Sequence, residues 1–423
     1  MNKSLMGCLD YRQTRRAFMG TAAAGTFLGM NIKSLLARAG SDHAPTAEHV
    51  ILFWNSGGMS HIDTWDPKPG RPTAGDFTPI KTSVPGIEIS EILPETAKRM
   101  QHIALVRSVG GKNGDHGRAT YQLQTSYNPS PNLNHPGIGS VVVSQKSQIG
   151  DLPAYVTVSG NAPKAGYLGQ KCEAYFVGRP GEKDPYLAFP ASVGEARGNK
   201  RLEILERVNR RQPIDIGSDE TASTQQSVTD AVQLMRSPAL EAFEVRKENP
   251  AVLERYGDSE FGRAALLSRR LVEKGVRFVQ VNRGGFDVHS NAFPAMRNHG
   301  DAMDPALAAL IDDLAQTGLL KKTLIVMLSE FGRTPKINVT EGRDHHPGVF
   351  TVMFAGGGVR GGQVIGTSDQ DGAFPKDNPK AVPDVHASIC YALGINPNKE
   401  VMTPLQRPMK LVDSGKPITE LFS

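Results

Sequence analysis

The stretch "TLIVMLSEFGRTPKINVTEGRDHHPGVF", Thr323 to Phe350, holds two kinds of sequence. Thr323–Leu328 is an unbroken apolar run with no alternation, the pattern of a strand covered on both faces. From Ser329 on, the composition inverts. Glu330, Arg333, Asp344, His345 and His346 come next, with little between them that could build a core. In open α/β sheets, ligands bind outside the carboxyl ends of the strands. The stretch therefore reads as a buried strand followed by one wall of a site.

Other runs of the same kind lie along the chain: "HVILFW" from His49, "IALVRSV" from Ile103, "AYVTVSG" from Ala154, "VRFVQV" from Val276 and "VFTVMFAGGG" from Val349. Helical patterns separate them. One begins near Ser90 and one at Arg118. A third is capped by Asp258 or Ser259 and stopped by Gly275. A fourth has Asp304 at its N-cap, Pro305 at its first position and Gly318 at its end. A fifth is capped by Asp384 and stopped by Gly394. Alternating strands and helices predict an α/β fold: a doubly wound, mostly parallel sheet with helices on both faces. Residues 161–235 read as an inserted cap or loop region, with helical segments such as "RLEILERVNRR". No Ser/Gly-rich linker marks a boundary, so residues 40–423 read as one domain.

The 423 residues, with 39% hydrophobic and 22% charged side chains, have an ordinary globular composition. The first 39 differ. "TRRAFMG" (Thr14–Gly20) pairs two arginines, a Gly/Ala-rich apolar stretch continues to Met30, and Ala37-Arg38-Ala39 offers a cleavage site. This is the layout of a twin-arginine export signal, which implies the twin-arginine translocase as a partner and a periplasmic or secreted product. The apolar stretch is too short to span a bilayer stably. The segment also holds six basic side chains against Asp10, which accounts for the whole formal charge of +5. The remaining chain is about neutral and gives no sign of nucleic-acid binding. Cys172 and Cys390 are the cysteines outside the signal. Without a Cys-x-x-Cys pair they do not suggest a thiolate zinc site.

The residues just past the strands form a pattern. After the first strand come Asn55, Ser56, His61, Asp63 and Asp66; after the second, Asp115, His116 and Arg118; then Asn282, Arg283, Asp287 and His289; then Glu330, Arg333, Asp344, His345 and His346. Carboxylates and neutral imidazoles together suit a divalent ion such as zinc, manganese, magnesium or calcium. Several of these residues also have plain structural readings. His61 and Asp63 form either a turn pair or two ligands. Asp66-Pro67 starts a turn. His299 and Asp301 open a helix, with Asp301 as cap, and His386 is structural. Arg333 is either a surface ion pair or an anion clamp.

The motifs "GGFDVHS", "LSEFGRT" and "GRDHHPG" resemble those of the alkaline-phosphatase-like superfamily of phosphatases, sulfatases and phosphoglycerate mutases. More closely, "GGMSHIDTWDPKPG", "LLSRRLVEKGVRFVQVN", "FDVHSN", "LSEFGRTPKIN", "DHHPG" and "DVHASICYALGI" resemble the exported, sulfatase-like bacterial family of domain of unknown function 1501. The resemblance covers most of the chain outside the signal. It departs from the superfamily at telling places. The sulfatase motif Cys-x-Pro-Ser-Arg is absent, with Gly114 at the cysteine's place and His116 at the proline's. Glu330 stands for an aspartate, Phe331 for a histidine, and Asn55 for the first strand's aspartate.

The resemblance implies a metal-dependent hydrolase of phosphate or sulfate esters, small anionic ones or those of a polysaccharide. Asp287, His289, Glu330, one of His345 and His346, and Asp63 or His61 would hold the metal. Arg118 and Arg333 would hold the anion, with His116 as ligand, base or nucleophile. The missing nucleophile motif leaves a second reading: a metal-stabilised binding or scaffold protein on the same fold.

Overall fold

The computed structural model describes residues 44–182, 187–190, 192–211 and 219–423. The export signal expected over residues 1–39 lies outside them. The central sheet has nine strands among the described residues. These are β1 (His49–Asn55), β2 (Ile103–Gly110), β3 (Tyr155–Val158), β4 (Tyr175–Val177), β5 (Phe278–Arg283), β6 (Thr323–Leu328), then β9 (Phe350–Gly356), β10 (Gln363–Ile365) and β11 (Lys380–Ala381). Between β6 and β9 lies a separate hairpin of β7 (Gly332–Arg333) and β8 (His345–His346). The order across the sheet is β10-β2-β9-β6-β1-β5-β3-β4, with β11 also paired to β2.

Only β9 runs against its neighbours, β2 and β6; every other pairing in the sheet is parallel. Being antiparallel to both, β9 leaves β2 and β6 pointing the same way as β1 and β5. Four carboxyl ends therefore meet on one edge, as the sequence pattern predicts. β4 lies inside the stretch read as an insertion, yet it extends the main sheet through β3.

Helices cover both faces. Along β1, Ile51 and Phe53 pack into one core with α7 (Glu260–Glu273) and α8 (Ala292–Gln316). Val50, Leu52 and Trp54 pack into the other, with α2 (His116–Thr125), α3 (Ile138–Gln145) and α9 (Val382–Ala392). This double coverage is why β1 is buried along its whole length and reads as an uninterrupted apolar run. The remaining helices are α1 (Pro94–Ala97), α4 (Gly194–Arg211), α5 (Asp219–Arg236) and α6 (Pro250–Tyr256). None of the described helices is long and apolar enough to cross a membrane. Cys172 and Cys390 are both buried free thiols.

Three helix starts differ from the local signals. α8 begins at Ala292, twelve residues before Asp304, and runs through Pro305. An interior proline costs roughly 3 kcal/mol. Phe293, Met296 and Met303 are buried ahead of it, at about 1.5–3 kcal/mol each, so burial outweighs the lost bond. His299 and Asp301 consequently lie inside the helix rather than opening it. Asp304 instead caps another helix, accepting from the backbone N–H groups of Glu95 and Thr96 in α1, both at 2.7 Å. That leaves α1 four residues long, starting at Pro94 rather than near Ser90, where a short strand over Glu88–Ser90 ends. α9 begins at Val382, two residues before the expected Asp384 cap. Asp384 reaches back to accept from Ala381 N–H at 2.8 Å.

One buried ion pair fixes the loop between β7 and β8. Arg343 donates through Nε and Nη2 to both oxygens of Asp63, at 2.8 and 2.9 Å. Both side chains are almost wholly buried. Asp63 is thus committed to Arg343 and is not turned toward the other candidate ligands. Removing one member of a buried pair costs about 3–5 kcal/mol, because the other is left uncompensated. Asp63→Ala should lower unfolding free energy by about that amount in urea titrations, and adding Arg343→Met should restore part of it. A double variant as unstable as the sum of the singles would contradict this.

Two histidines add a pH signature. Burial pushes the imidazoles of His61 and His386 down to about 4, against an unfolded value near 6.5. Both stay neutral in the folded chain, while the unfolded chain gains protons as pH falls. Their contribution to stability is therefore present above about pH 6.5 and is lost progressively down to about 4. Urea midpoints of the wild type should fall across that window. His386→Gln, which starts less stable because His386 Nε2 meets the Leu123 carbonyl at 2.8 Å, should fall less steeply.

Candidate metal centre

Each of the four strand ends delivers part of one cluster. The chain leaving β2 enters α2, with Asp115 as N-cap and His116 as the first helical residue. β5 leads through Gly284 and Gly285 to Asp287 and His289. β6 leads to Glu330, Phe331 and Arg333. The Arg333–His345 register of the β7–β8 hairpin then brings His345 back beside them. β1 supplies Gly57 at φ +113°, where a Cβ would lie 2.4 Å from Asp287 N, so only glycine allows this approach.

Asp287 is the centre. Its Oδ1 accepts from Arg333 Nη2 at 2.5 Å and lies 2.9 Å from His289 Nε2 and 3.1 Å from His345 Nε2. Its Oδ2 is 3.3 Å from His116 Nε2. The two nitrogens His289 Nε2 and His345 Nε2 are 3.0 Å apart.

The far side of each ring is occupied. His116 Nδ1 meets Glu330 Oε1 at 2.8 Å, His289 Nδ1 meets Asp344 Oδ1 at 2.8 Å, and His345 Nδ1 meets the Gly114 carbonyl at 2.9 Å. All three partners are acceptors, so each Nδ1 carries the hydrogen. Each neutral ring then presents its Nε2 lone pair inward. Three nitrogen lone pairs and a carboxylate face one another, and His116 Nε2 is buried with no hydrogen-bond partner. Arg333 Nη1 meets one of these nitrogens, His289 Nε2, at 3.5 Å, and the others are suited to a cation or to extra protons on the rings. Orientation of ligand imidazoles through the opposite nitrogen is the usual support around bound metal.

Electrostatics fit this reading. Partial burial alone would raise the Asp287 carboxyl. The Arg333 guanidinium holds it well below the usual carboxylate range. Asp344 is also lowered, first by its bond with His289. Phe331, fully buried, closes the floor, its ring 5.0 Å from that of His116 and 4.8 Å from that of His345.

The structure sorts the expected site residues. It brings Asp287, His289 and His345 together and adds His116 to them. Glu330 stands one step out: its Oε1 accepts from Gly57 N–H at 2.8 Å and from His116, and its Oε2 from Ser329. His346, adjacent to His345 on β8, points elsewhere because neighbouring strand residues alternate sides. Its Nε2 meets the Ala373 carbonyl at 2.6 Å. His61 is buried against the Gly372 carbonyl at 2.8 Å, and Asp63 is held by Arg343. None of these three reaches Asp287.

Arg333 is neither a surface ion pair nor a free anion clamp. It is 2% exposed. Its donors go to Gly58 O, Gly57 O, Arg343 O and, at 3.5 Å, His289 Nε2, as well as to Asp287. Arg118 is exposed on the first turn of α2, two residues from His116 and so on a different helix face. Asp344 stands in the strand-end set without a role, and the Gly114 carbonyl and Arg343 are missing from it. Asp344 was visible as the residue before the histidine pair; the other two carry no sequence signal for their roles.

Solved structures similar to this one include the lipoteichoic acid synthase LtaP from Listeria monocytogenes, at 9% identity and a TM-score of 0.38, covering 85% of this chain and 77% of that one. PsFucS1 sulfatase from Pseudoalteromonas sp. matches at 14% identity and a TM-score of 0.38, over 86% of this chain and 70% of that one. The C-terminal periplasmic domain of EcEptC from Escherichia coli, in complex with Zn, matches at 9% identity and a TM-score of 0.37, over 90% and 97%. Likeness at this level speaks to neither reaction nor ligand. No curated protein matches the sequence. The motifs from Gly57 to His386 do have a family: over residues 47–422 the chain belongs to the one described as "Protein of unknown function (DUF1501)".

Proposed function

We propose that the protein is a metal-dependent hydrolase of phosphate or sulfate esters, exported through the twin-arginine pathway and acting on a small anionic or polysaccharide-linked ester. The observation that carries this reading is the convergence of three imidazole Nε2 atoms on Asp287, with every Nδ1 engaged on its far side. Asp287, His116 and His345 would hold the ion, with His289 beside them as an exchangeable fourth donor. Three nitrogens and one carboxylate favour zinc over magnesium or calcium, which take oxygen donors. A divalent ion bound there supplies Lewis acidity toward an ester oxygen and toward water.

The chain's own residues do the rest. Glu330 and Asp344 fix the tautomers of His116 and His289. Arg333 keeps Asp287 ionised and oriented. Phe331 excludes water from beneath. Arg118, with no side-chain partner among the described residues, remains available to the anion from the solvent side.

A second reading, a metal-stabilised binding protein without turnover, has one observation in its favour. Among the described residues, the groups bonded to Asp287 and the three imidazoles are guanidinium, imidazole, carboxylate and backbone carbonyl. A hydroxyl or thiol nucleophile is not one of them.

Metal analysis of the folded, signal-cleaved protein should find about one divalent ion per chain. Asp287→Ala and His345→Ala should lose it. Glu330→Gln and Asp344→Asn should keep the stoichiometry with affinity weakened about 10- to 100-fold. A wild type that stays metal-free after loading would sink both readings.

Turnover separates the two. Loaded protein should hydrolyse aryl phosphate or sulfate esters, with activity removed by chelation and restored by zinc, and Arg118→Gln should raise KM more than it lowers kcat. Full metal occupancy with no hydrolysis across such a panel would leave the binding protein.

A further inference from the structure

β5 ends on Arg283, four residues before Asp287. The Arg283 side chain is half-buried, its guanidinium carbon 5.7 Å from the centre of the Phe261 ring. Its Nε donates to His299 Nδ1 at 3.0 Å. His299 is itself fixed: its Nε2–H donates to the Gly285 carbonyl at 2.9 Å, and its ring stacks on Phe286 at 3.9 Å. Burial lowers the affinity of His299 for a second proton, which keeps Nδ1 an acceptor.

This arrangement orients a guanidinium by one nitrogen and leaves its outer two without a hydrogen-bond partner among the described residues. No carboxylate there is within ion-pair distance either; Glu260 is the acidic group that acts on Arg283, and from further away. Arg333 and Arg343, at the same sheet edge, are by contrast committed to internal acceptors. A half-buried charge without a counterion is costly, and a free planar fork matches carboxylate, sulfate or phosphate. Arg283 is only half-buried and the flanking Gly284 and Gly285 are exposed, so solvent reaches this strand end.

We infer that Arg283, held by His299, is a second anion-binding position, so that the ligand of this protein carries at least two anionic groups. Four residues of chain span at most about 14 Å, so one polyanionic molecule can engage Arg283 and the centre at Asp287 together. A sulfated or otherwise polyanionic chain fits that spacing, and a simple monoester does not use it. The inference deepens the ester-hydrolase reading, although the contact with Arg283 itself does not need the metal.

The test is calorimetric binding of dextran sulfate and of inorganic sulfate to the signal-cleaved protein, with and without metal. Wild type, Arg283→Gln and Arg283→Lys are compared. Arg283→Gln should weaken dextran sulfate binding about tenfold in both metal states, and should reduce the slope of log affinity against log salt by about one. Metal content and inorganic sulfate binding at the centre should be unchanged. Arg283→Lys, which keeps the charge and loses the fork, should fall between. Equal dextran sulfate affinity and salt slope in wild type and Arg283→Gln would overturn the inference. A loss seen in the variant, with no ester turnover by the wild type, would leave Arg283 as an anion site while the hydrolase reading fails.

Discussion

The site depends on the contact between Arg333 and Asp287. Arg333 is buried, and within the protein its charge is met by one carboxylate and by the carbonyls of Gly57, Gly58 and Arg343. An uncompensated buried charge costs several kcal/mol. Those acceptors come from the loops after β1 and β5 and from the β7–β8 loop, so one guanidinium draws three segments to a common point. It also holds Asp287 Oδ1 where His289 and His345 can reach it. Without that constraint Asp287, whose side chain is 47% exposed, would be a mobile surface carboxylate.

The buried Asp63–Arg343 pair extends the same device outward. Arg343 gives its carbonyl to Arg333 and its guanidinium to Asp63. The segment carrying Asp344 and His345 is thereby tied both to the centre and to the loop after β1. His61 and His346 do comparable work at their own periphery. They meet the consecutive carbonyls of Gly372 and Ala373, and so pin the loop that borders β2.

Much of this was legible in the sequence, and the failures have a common cause. β1 and β6 could be read because double coverage leaves an uninterrupted apolar signature. The start of α8 could not, because Asp304-Pro305 has the local form of a helix start, whereas burial of Phe293 and Met296 extends the helix upstream. Asp287, His289 and His345 could be placed at strand ends by position alone. Which carboxylates touch the centre could not. Glu330 and Asp344 differ from Asp287 in facing the outer nitrogen of an imidazole, and His345 differs from His346 by one step of strand alternation. These distinctions depend on side-chain direction to within a single residue, which residue type and spacing do not encode.

Charge and exposure together narrow what the centre can hold. Asp287, Glu330 and Asp344 carry three formal negative charges and Arg333 one positive, so the cluster with neutral imidazoles stands at minus two. A divalent cation cancels that; a single proton does not. The two outer carboxylates are not redundant, because each acts through an imidazole and makes its Nε2 a stronger donor. Their settings differ as well. Glu330 is sealed at 1% side-chain exposure, while Asp344, at 57%, faces solvent. The cluster is therefore rigid on the side of Glu330 and Phe331 and open on the side of Asp344 and His289. A structural zinc site closes its coordination with protein ligands, whereas a catalytic one keeps an open position. An ion held by His116, Asp287 and His345, whose ligand atoms lie within 4.8 Å of one another, would have its fourth position on the open side, for His289 or an incoming ligand.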